Sequence, residues 1–443
     1  MNSRLPVLVS MVLSMLVAAM DSTIMNTTMP VIAKSLGGFD LYAWVFAAYM
    51  IATTVLAPVA GRLSDLFGRK RVFALGIFLF LIGSTLCGVA QSMVQLVVFR
   101  GVQGIGAGFM IPFPAIITGD LFSVEQRGKI QALGTGMWGL SAIMAPMLGS
   151  FFVEYLTWRW IFFINIPICI LALLTLLPYQ EKYTAKPARV DYVGALLFSA
   201  GVTLLLMVTV VDEYRFLYGL LGALFILGFY LFETKQASPL VPFSMFDDKN
   251  IRWMNIHGFF GWAALFGTAS FIPLFLQKMA HLSILMSGVA LLGSAVGWMS
   301  AAVPAGKWIL KYGYRPLFII GSLSLTVSGV LLVLLQAEHG FWYAFFVMVV
   351  QGFAFGLLST TGVIGAQQLV QAHQKGVSTS FLMFTRNIGT AVGVTIMGMF
   401  LTEATDFMSG IHRMFLYGLI GSIIALISAF FISDGNRERA LIR

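Results

Sequence analysis

Apolar runs of about twenty residues, the length that crosses one hydrocarbon core as a helix, recur along the whole of this chain with short polar joints between them. Fourteen are read from the hydropathy pattern, near residues 5–34, 40–60, 72–90, 94–118, 130–153, 160–178, 192–211, 216–232, 253–277, 283–305, 316–336, 341–367, 377–402 and 412–432. Only 10% of the residues are charged, against about 25% in a soluble domain. With a mean hydropathy of +0.90, an ordinary water-soluble enzyme is excluded. The expectation is an all-α integral membrane protein.

The net charge of +9 invites a nucleic-acid reading, but the placement of the cations argues against one. With the N-terminus in the cytoplasm, twenty of the 27 Lys and Arg fall in cytoplasmic segments, among them Arg62, Arg69, Lys70, Arg71, Arg127, Lys182, Lys307 and Arg437. Five fall outside (Lys34, Arg159, Arg215, Lys278, Arg413), and Arg100 and Arg386 lie within spans. This is the positive-inside bias of a multi-pass membrane protein with both termini cytoplasmic. Cys87 and Cys169 both sit in apolar runs and five His are scattered, so no disulfide framework, metal site or cofactor motif is expected. The first run lacks a basic n-region and a cleavage site, and is read as a retained helix.

The stretch GRLSDLFGRKR (61–71) finds a weaker echo in GKWILKYGYRP (306–316), aligning Gly61 with Gly306 and Gly68 with Gly313. At about thirty residues per span and joint, the offset corresponds to eight helices and not to the six of a plain duplication. Two inserted helices are therefore placed at 192–232, between the polar joints QEKYTAKPARVD and ETKQASPLVPFSMFDDKNIR, which carry Pro187, Pro239 and Pro242. The expected domains are a six-helix bundle over 1–180, the inserted pair with its joints over 181–250, and a second six-helix bundle over 251–443. Paired halves around a midplane site favour a carrier over a channel.

Asp21 is the one acid placed deep in an apolar run, where insertion of a carboxylate costs about 2.5–3.5 kcal/mol. One reading is a polar residue bonded to neighbours such as Ser22 and Asn26. The sharper one is a proton site, because burial raises a carboxyl pKa whereas an approaching cation such as Arg100 or access to water lowers it. Arg100 opens RGVQGIGAGFMIPFP (100–114), whose Gly104 and Gly108, with Gln103, read as a surface for close helix packing. The stretch lacks the Lys-Ser/Thr of a phosphate loop. In GMWGLSAIMAPMLGSFF (136–152), Pro146 and Gly149 mark a kink. Asn26, Trp138 and Arg386 are the candidates for substrate contact. The 24 Met and 39 Phe suit either an adaptable binding surface or contact with lipid.

At MDSTIMNTTMP, WVFAAYM, GRLSDLFGRKR, RGVQGIGAG, the Pro146 segment and WRWIFFINIP (158–167), followed by the inserted pair, the chain resembles the major facilitator superfamily, specifically its fourteen-helix drug/proton antiporters of the EmrB/QacA type. The resemblance implies that fold, with two six-helix bundles plus two inserted helices. It also implies efflux of amphipathic drugs or toxic compounds across the bacterial cytoplasmic membrane by alternating access, driven by protons, with no enzymatic activity and no cofactor. Under it Asp21 matches the first-helix acid and Arg100 the fourth-helix arginine. Gly61, Asp65, Gly68, Arg69 and Arg71 with Arg127 match the cytoplasmic gating motif. Two departures stand out: Ala145 and Ser150 replace glycines of the fifth-helix pattern, and Leu310 stands where the second half would repeat Asp65. The implied partners are small amphipathic substrates, protons and the bilayer, with no nucleic acid; an accessory protein is neither implied nor excluded. A lipid or lipid-linked precursor transporter of the same fold is the alternative.

Overall fold

The computed structural model describes residues 4–38, 41–181, 191–208, 210–211, 213–236, 239–282, 284–402 and 407–433. Pro187 and the cations Lys182, Lys186, Arg189, Arg437, Arg439 and Arg443 lie outside the described residues. The described regular structure is helical, in sixteen α-helices with short 3₁₀ turns. The chain divides into two compact units, Met1–Leu121 with Met137–Phe243 and Gln371–Phe381, and Phe122–Gly136 with Ser244–Val370 and Leu382–Arg443. Each unit thus takes in one short segment from the other half of the sequence.

In the first unit run α1 (Arg4–Leu36), α2 (Tyr42–Phe67), α3 (Arg69–Gly88), α4 (Met93–Met110) and α5 (Phe113–Leu121). They are followed by most of α6 (Val124–Tyr155), then α7 (Trp160–Phe163), α8 (Asn165–Leu176), α9 (Tyr192–Met207) and α10 (Arg215–Glu233). Its core gathers Met20, Ile24, Met25 and Met29 of α1 with Val45, Cys87, Phe152 and Phe162. These methionines of the first helix are therefore packed inward. The lipid-like surface is carried elsewhere, for instance by exposed Leu217, Leu220, Leu224, Leu227 and Leu231 along α10.

The second unit holds α11 (Lys249–Lys278), α12 (Ile284–Tyr312), α13 (Tyr314–Val333), α14 (Gly340–Gln368), most of α15 (Lys375–Thr402) and α16 (Phe407–Phe430). α12 and α14 approach through glycines on both sides. A Cβ on Gly293 would strike the Phe345 carbonyl, and one on Gly356 the backbone of Trp298. Two apolar clusters flank this contact, one around Leu317, Phe318, Phe355 and Leu358, the other around Phe275, Met348, Met414 and Phe415.

Nine helices among the described residues are long and apolar enough to cross a membrane, where the hydropathy pattern suggests fourteen. Trp160–Leu176 and Tyr192–Met207 are apolar but shorter. α6 carries Glu125, Arg127, Lys129 and Glu154 near its ends. Proline accounts for two interruptions: Pro112 lies in the turn between α4 and α5, and Pro167 leaves the Phe163 carbonyl without its helical donor beside the break between α7 and α8.

The internal repeat has a structural counterpart. Gly68 joins α2 to α3 at φ 95°, ψ 149°, and Gly313 joins α12 to α13 at φ 84°, ψ −173°, a region of backbone space essentially reserved for glycine. In the first unit Gly61 lets α2 lie against the start of α15, since a Cβ there would fall 2.6 Å from the Gly376 carbonyl. In the second, Gly306 lets α12 lie against the start of α6, where a Cβ would meet Val124 and Glu125.

Candidate functional site

α4 is set between α2 and α3 by its small residues. A Cβ on Gly104 would lie 2.6 Å from the Tyr49 carbonyl of α2, one on Gly108 would lie 2.9 Å from the Thr53 carbonyl, and one on Gly106 would strike the Phe80 backbone of α3. The helix opens with Ser92, whose hydroxyl accepts from the Gln95 N–H at 3.3 Å. Arg100 and Gln103 follow three residues apart, a spacing that puts both on one face, and here that face meets Asp21 of α1.

Arg100 Nη1 donates to Asp21 Oδ2 at 2.6 Å and to Gln103 Oε1 at 2.7 Å, and Gln103 Nε2 donates to Asp21 Oδ1 at 2.8 Å. The three side chains close a ring in which both carboxylate oxygens are occupied. The Tyr49 ring lies 4.1 Å under the guanidinium, and the Cys87 thiol donates to Gln103 Oε1 at 3.6 Å. Asp21 is 3% exposed, Arg100 1% and Gln103 0%. Two opposite charges held out of water in this way are each costly alone and tolerable together. A proton arriving on Asp21 would leave Arg100 buried and unpaired. The chemistry available here is therefore exchange of a proton against the ion pair, conditional on a change in what surrounds Arg100.

Gln103, expected as a packing residue, is thus a polar member of this network, and Tyr49 joins it without having been singled out. Its one sequence signal is a lone hydroxyl among the apolar residues of WVFAAYM.

A second cluster forms where α2 turns into α3. Asp65 accepts from Arg69 Nη1 at 2.8 Å and from the backbone N–H groups of Gly376 at 3.0 Å and Val377 at 2.9 Å. Because α15 begins at Lys375, those N–H groups belong to its first turn, which has no internal acceptor, so the carboxylate caps that helix and meets the positive end of its dipole. Arg69, fully buried, also pairs with Asp120 and reaches the Ser64 hydroxyl at 3.4 Å. At the start of α3, Glu181 accepts from the Lys70 N–H at 2.5 Å, and Lys70 Nζ donates to the Leu177 carbonyl at 2.5 Å. Arg71 is exposed. Arg127 belongs to the second unit, where it donates to the Phe122 carbonyl at 3.1 Å and to Gln367 Oε1 at 3.3 Å. Asp120 and Glu181 escape sequence reading because they approach Arg69 and Lys70 from 51 and 111 residues away.

The remaining expected residues are dispersed. Trp138, 43% exposed, lines a small pocket with Ser14, Met15, Ala18, Met110, Ile111 and Pro114. Gly149 is buried within α6, which continues as helix through Pro146. The side chains of Pro146 and Asn26 lie outside those described. Arg386 lies in the second unit, its Cζ 4.0 Å from the Trp262 ring.

Several known proteins are similar to this chain. The family model described as Major Facilitator Superfamily matches residues 11–394 and 290–442. Multidrug resistance protein 3 of Bacillus subtilis is 32% identical over 419 residues, covering 91% of this chain and 82% of its own. Multidrug transporter protein MdtP of the same organism is 31% identical over 407 residues, covering 90% and 75%. The multidrug efflux pump SdrM of Staphylococcus aureus is 28% identical over 446 residues, covering 97% and 98%. Among solved structures, the human organic anion transporter MFSD10 superposes with a TM-score of 0.71 at 15% identity, over 98% of this chain and 100% of that one. The proton:xylose symporter XylE superposes with a TM-score of 0.68 at 17% identity, over 97% and 96%.

Proposed function

Because this chain belongs to the major facilitator superfamily, we propose that it exports amphipathic drugs or toxic compounds across the bacterial cytoplasmic membrane in exchange for protons, by alternating access. The observation that carries this reading is the buried ring of Asp21, Arg100 and Gln103. Relatives named as multidrug transporters, at about the same 30% identity in two bacteria, support the cargo class. In this reading the architecture is the fourteen-span EmrB/QacA type, with α4 and α5 forming one crossing and α7 and α8 another. Bundles over 1–180 and 251–443 flank the inserted pair over 181–250, and both termini face the cytoplasm.

Asp21 is ionised while it is paired with Arg100 and Gln103. When the site opens to the outer side, water solvates Arg100, the pair loosens and Asp21 takes up a proton; re-pairing on the inner side expels it. The cap that Asp65 places on α15, with Gly61, Gly68, Arg69 and Arg71, is a cytoplasmic gate that must release between these states, and Arg127 is a further gating residue. One proton driven by 150 mV supplies about 3.5 kcal/mol, enough for a gradient of roughly 300-fold in a neutral compound. Swapping a proton for a monocation moves no net charge, so neutral, zwitterionic and monocationic compounds suit one coupling acid better than dications do.

The test is a growth-inhibition panel of amphipathic compounds in a drug-sensitive bacterium carrying empty vector, wild type or Asp21→Asn at matched membrane abundance. Wild type is expected to raise resistance to a subset of the panel and Asp21→Asn to remove that gain. Resistance that survives Asp21→Asn would sink the coupling role. An envelope defect without any gain in resistance would favour lipid or lipid-linked cargo.

A further inference from the structure

Arg386 stands eleven residues into α15 and is 6% exposed, yet no carboxylate among the described residues pairs with it. Its Cζ lies over the Trp262 ring of α11 at 4.0 Å, and Nη2 donates to the Leu358 carbonyl of α14 at 3.2 Å. Its Nε has no hydrogen-bond partner among the described residues. The space around it is made by glycine. A Cβ on Gly362 would collide with Nη2, and one on Gly258 would lie 3.4 Å from Cγ and 3.8 Å from Nε. The adjoining turn of α14 carries Thr360 and Thr361, buried hydroxyls that also lack a partner among the described residues. The Trp262 ring that covers the cation packs in turn on Phe355 at 5.0 Å, and Phe355 on Trp298 at 3.8 Å.

The contrast with Arg100 is chemical. Arg100 has its carboxylate inside the protein, whereas the positive charge of Arg386 is answered only by a carbonyl and a π-face. Neither is a full counter-charge for a desolvated guanidinium. With one face covered by indole and Nη2 bonded to the Leu358 carbonyl, a donor left unsatisfied among the described residues lies on the Nε edge. That edge offers parallel N–H donors, the fork geometry that takes a carboxylate in two-point fashion.

We propose that the Nε edge of Arg386 recognises the carboxylate of amphipathic, aromatic substrates that carry one. This inference rests on the export reading for its purpose but not for its test. It also changes the energetics, because exporting a compound with one more negative charge against the same proton carries one more positive charge inward. The membrane potential then drives acidic cargo harder than cationic cargo.

Rhodamine B and its ethyl ester share one fluorophore and differ by a free carboxylate, so they isolate this contact. Fluorescence anisotropy titrations of both dyes would be run against the purified full-length protein in detergent as wild type, Arg386→Gln and Arg386→Lys. Loss of one charge-assisted contact is expected to weaken rhodamine B binding about tenfold or more in Arg386→Gln. Ester binding should stay within about twofold, and Arg386→Lys should retain part of the affinity. Equal weakening of both dyes, unchanged rhodamine B binding in Arg386→Gln, or no binding of rhodamine B to wild type would each overturn the proposal. The export reading fails separately, if wild-type proteoliposomes move no member of the growth panel under an imposed proton gradient.

Discussion

Arg100 and Asp21 lie 79 residues apart in the chain and meet at 2.6 Å in an environment from which water is almost wholly excluded. Removing one member strands the other, which in buried pairs costs about 3–5 kcal/mol. Asp21→Asn and Arg100→Gln are therefore each expected to lower the melting temperature of the detergent-solubilised protein clearly. The double variant Asp21→Asn/Arg100→Gln, which removes both charges and keeps hydrogen-bonding groups, should recover much of that loss. Additive losses in the double-mutant cycle would show that the two charges do not depend on each other.

The cap on α15 makes a local prediction. Asp65→Asn keeps one acceptor oxygen and loses the charge that faces Gly376 and Val377, so the first turn of α15 should open more often, by the ~1 kcal/mol typical of a lost N-cap. Hydrogen exchange at residues 376–378 should then accelerate several-fold while the centre of α3 stays protected. Unchanged exchange there would mean that the carboxylate is not what holds this helix start.

The two turn glycines should behave alike because the backbone asks the same of both. Gly68→Ala and Gly313→Ala each place a Cβ in a backbone region that costs about 1–3 kcal/mol. Gly68→Ala adds a contact 2.6 Å from Glu181 Oε2, so it is expected to be the more damaging of the pair by melting temperature. Gly101→Ala, which meets nothing within 4 Å, should be close to neutral.

Gly104 tests how far packing positions the charge network. A Cβ there must push α4 away from Tyr49 and Ala52, an overpacking cost of about 1–3 kcal/mol, and in doing so shift Arg100 relative to Asp21. Gly104→Ala is expected to reduce resistance more than it reduces membrane abundance. Loss of both in proportion would leave only a packing role.

Helix placement was legible because long apolar runs have a length scale, and the repeat was legible because two helix junctions need glycine at the same offset. Asp21 and Arg100 stood out because a charge in hydrocarbon has few bland explanations. Partners were hidden wherever the contact is long in sequence and chemically ordinary: Gln103 among packing glycines, Tyr49 in an aromatic stretch, Asp120 beside a helix end, and Arg127 bonded to Gln367. Pro112 and Pro167 lie at breaks within two apolar runs that hydropathy alone reads as continuous. Arg386 was visible as a cation but not as an unpaired one, since pairing belongs to the fold.

On the proposed mechanism Asp21 carries the proton that is exchanged for cargo. Wild-type proteoliposomes given an inward gradient of a compound the protein transports should release lumenal protons as the compound enters, read by a pH dye, and the release should vanish in Asp21→Asn although that variant still binds the compound. Proton release of the same size from Asp21→Asn would contradict the account.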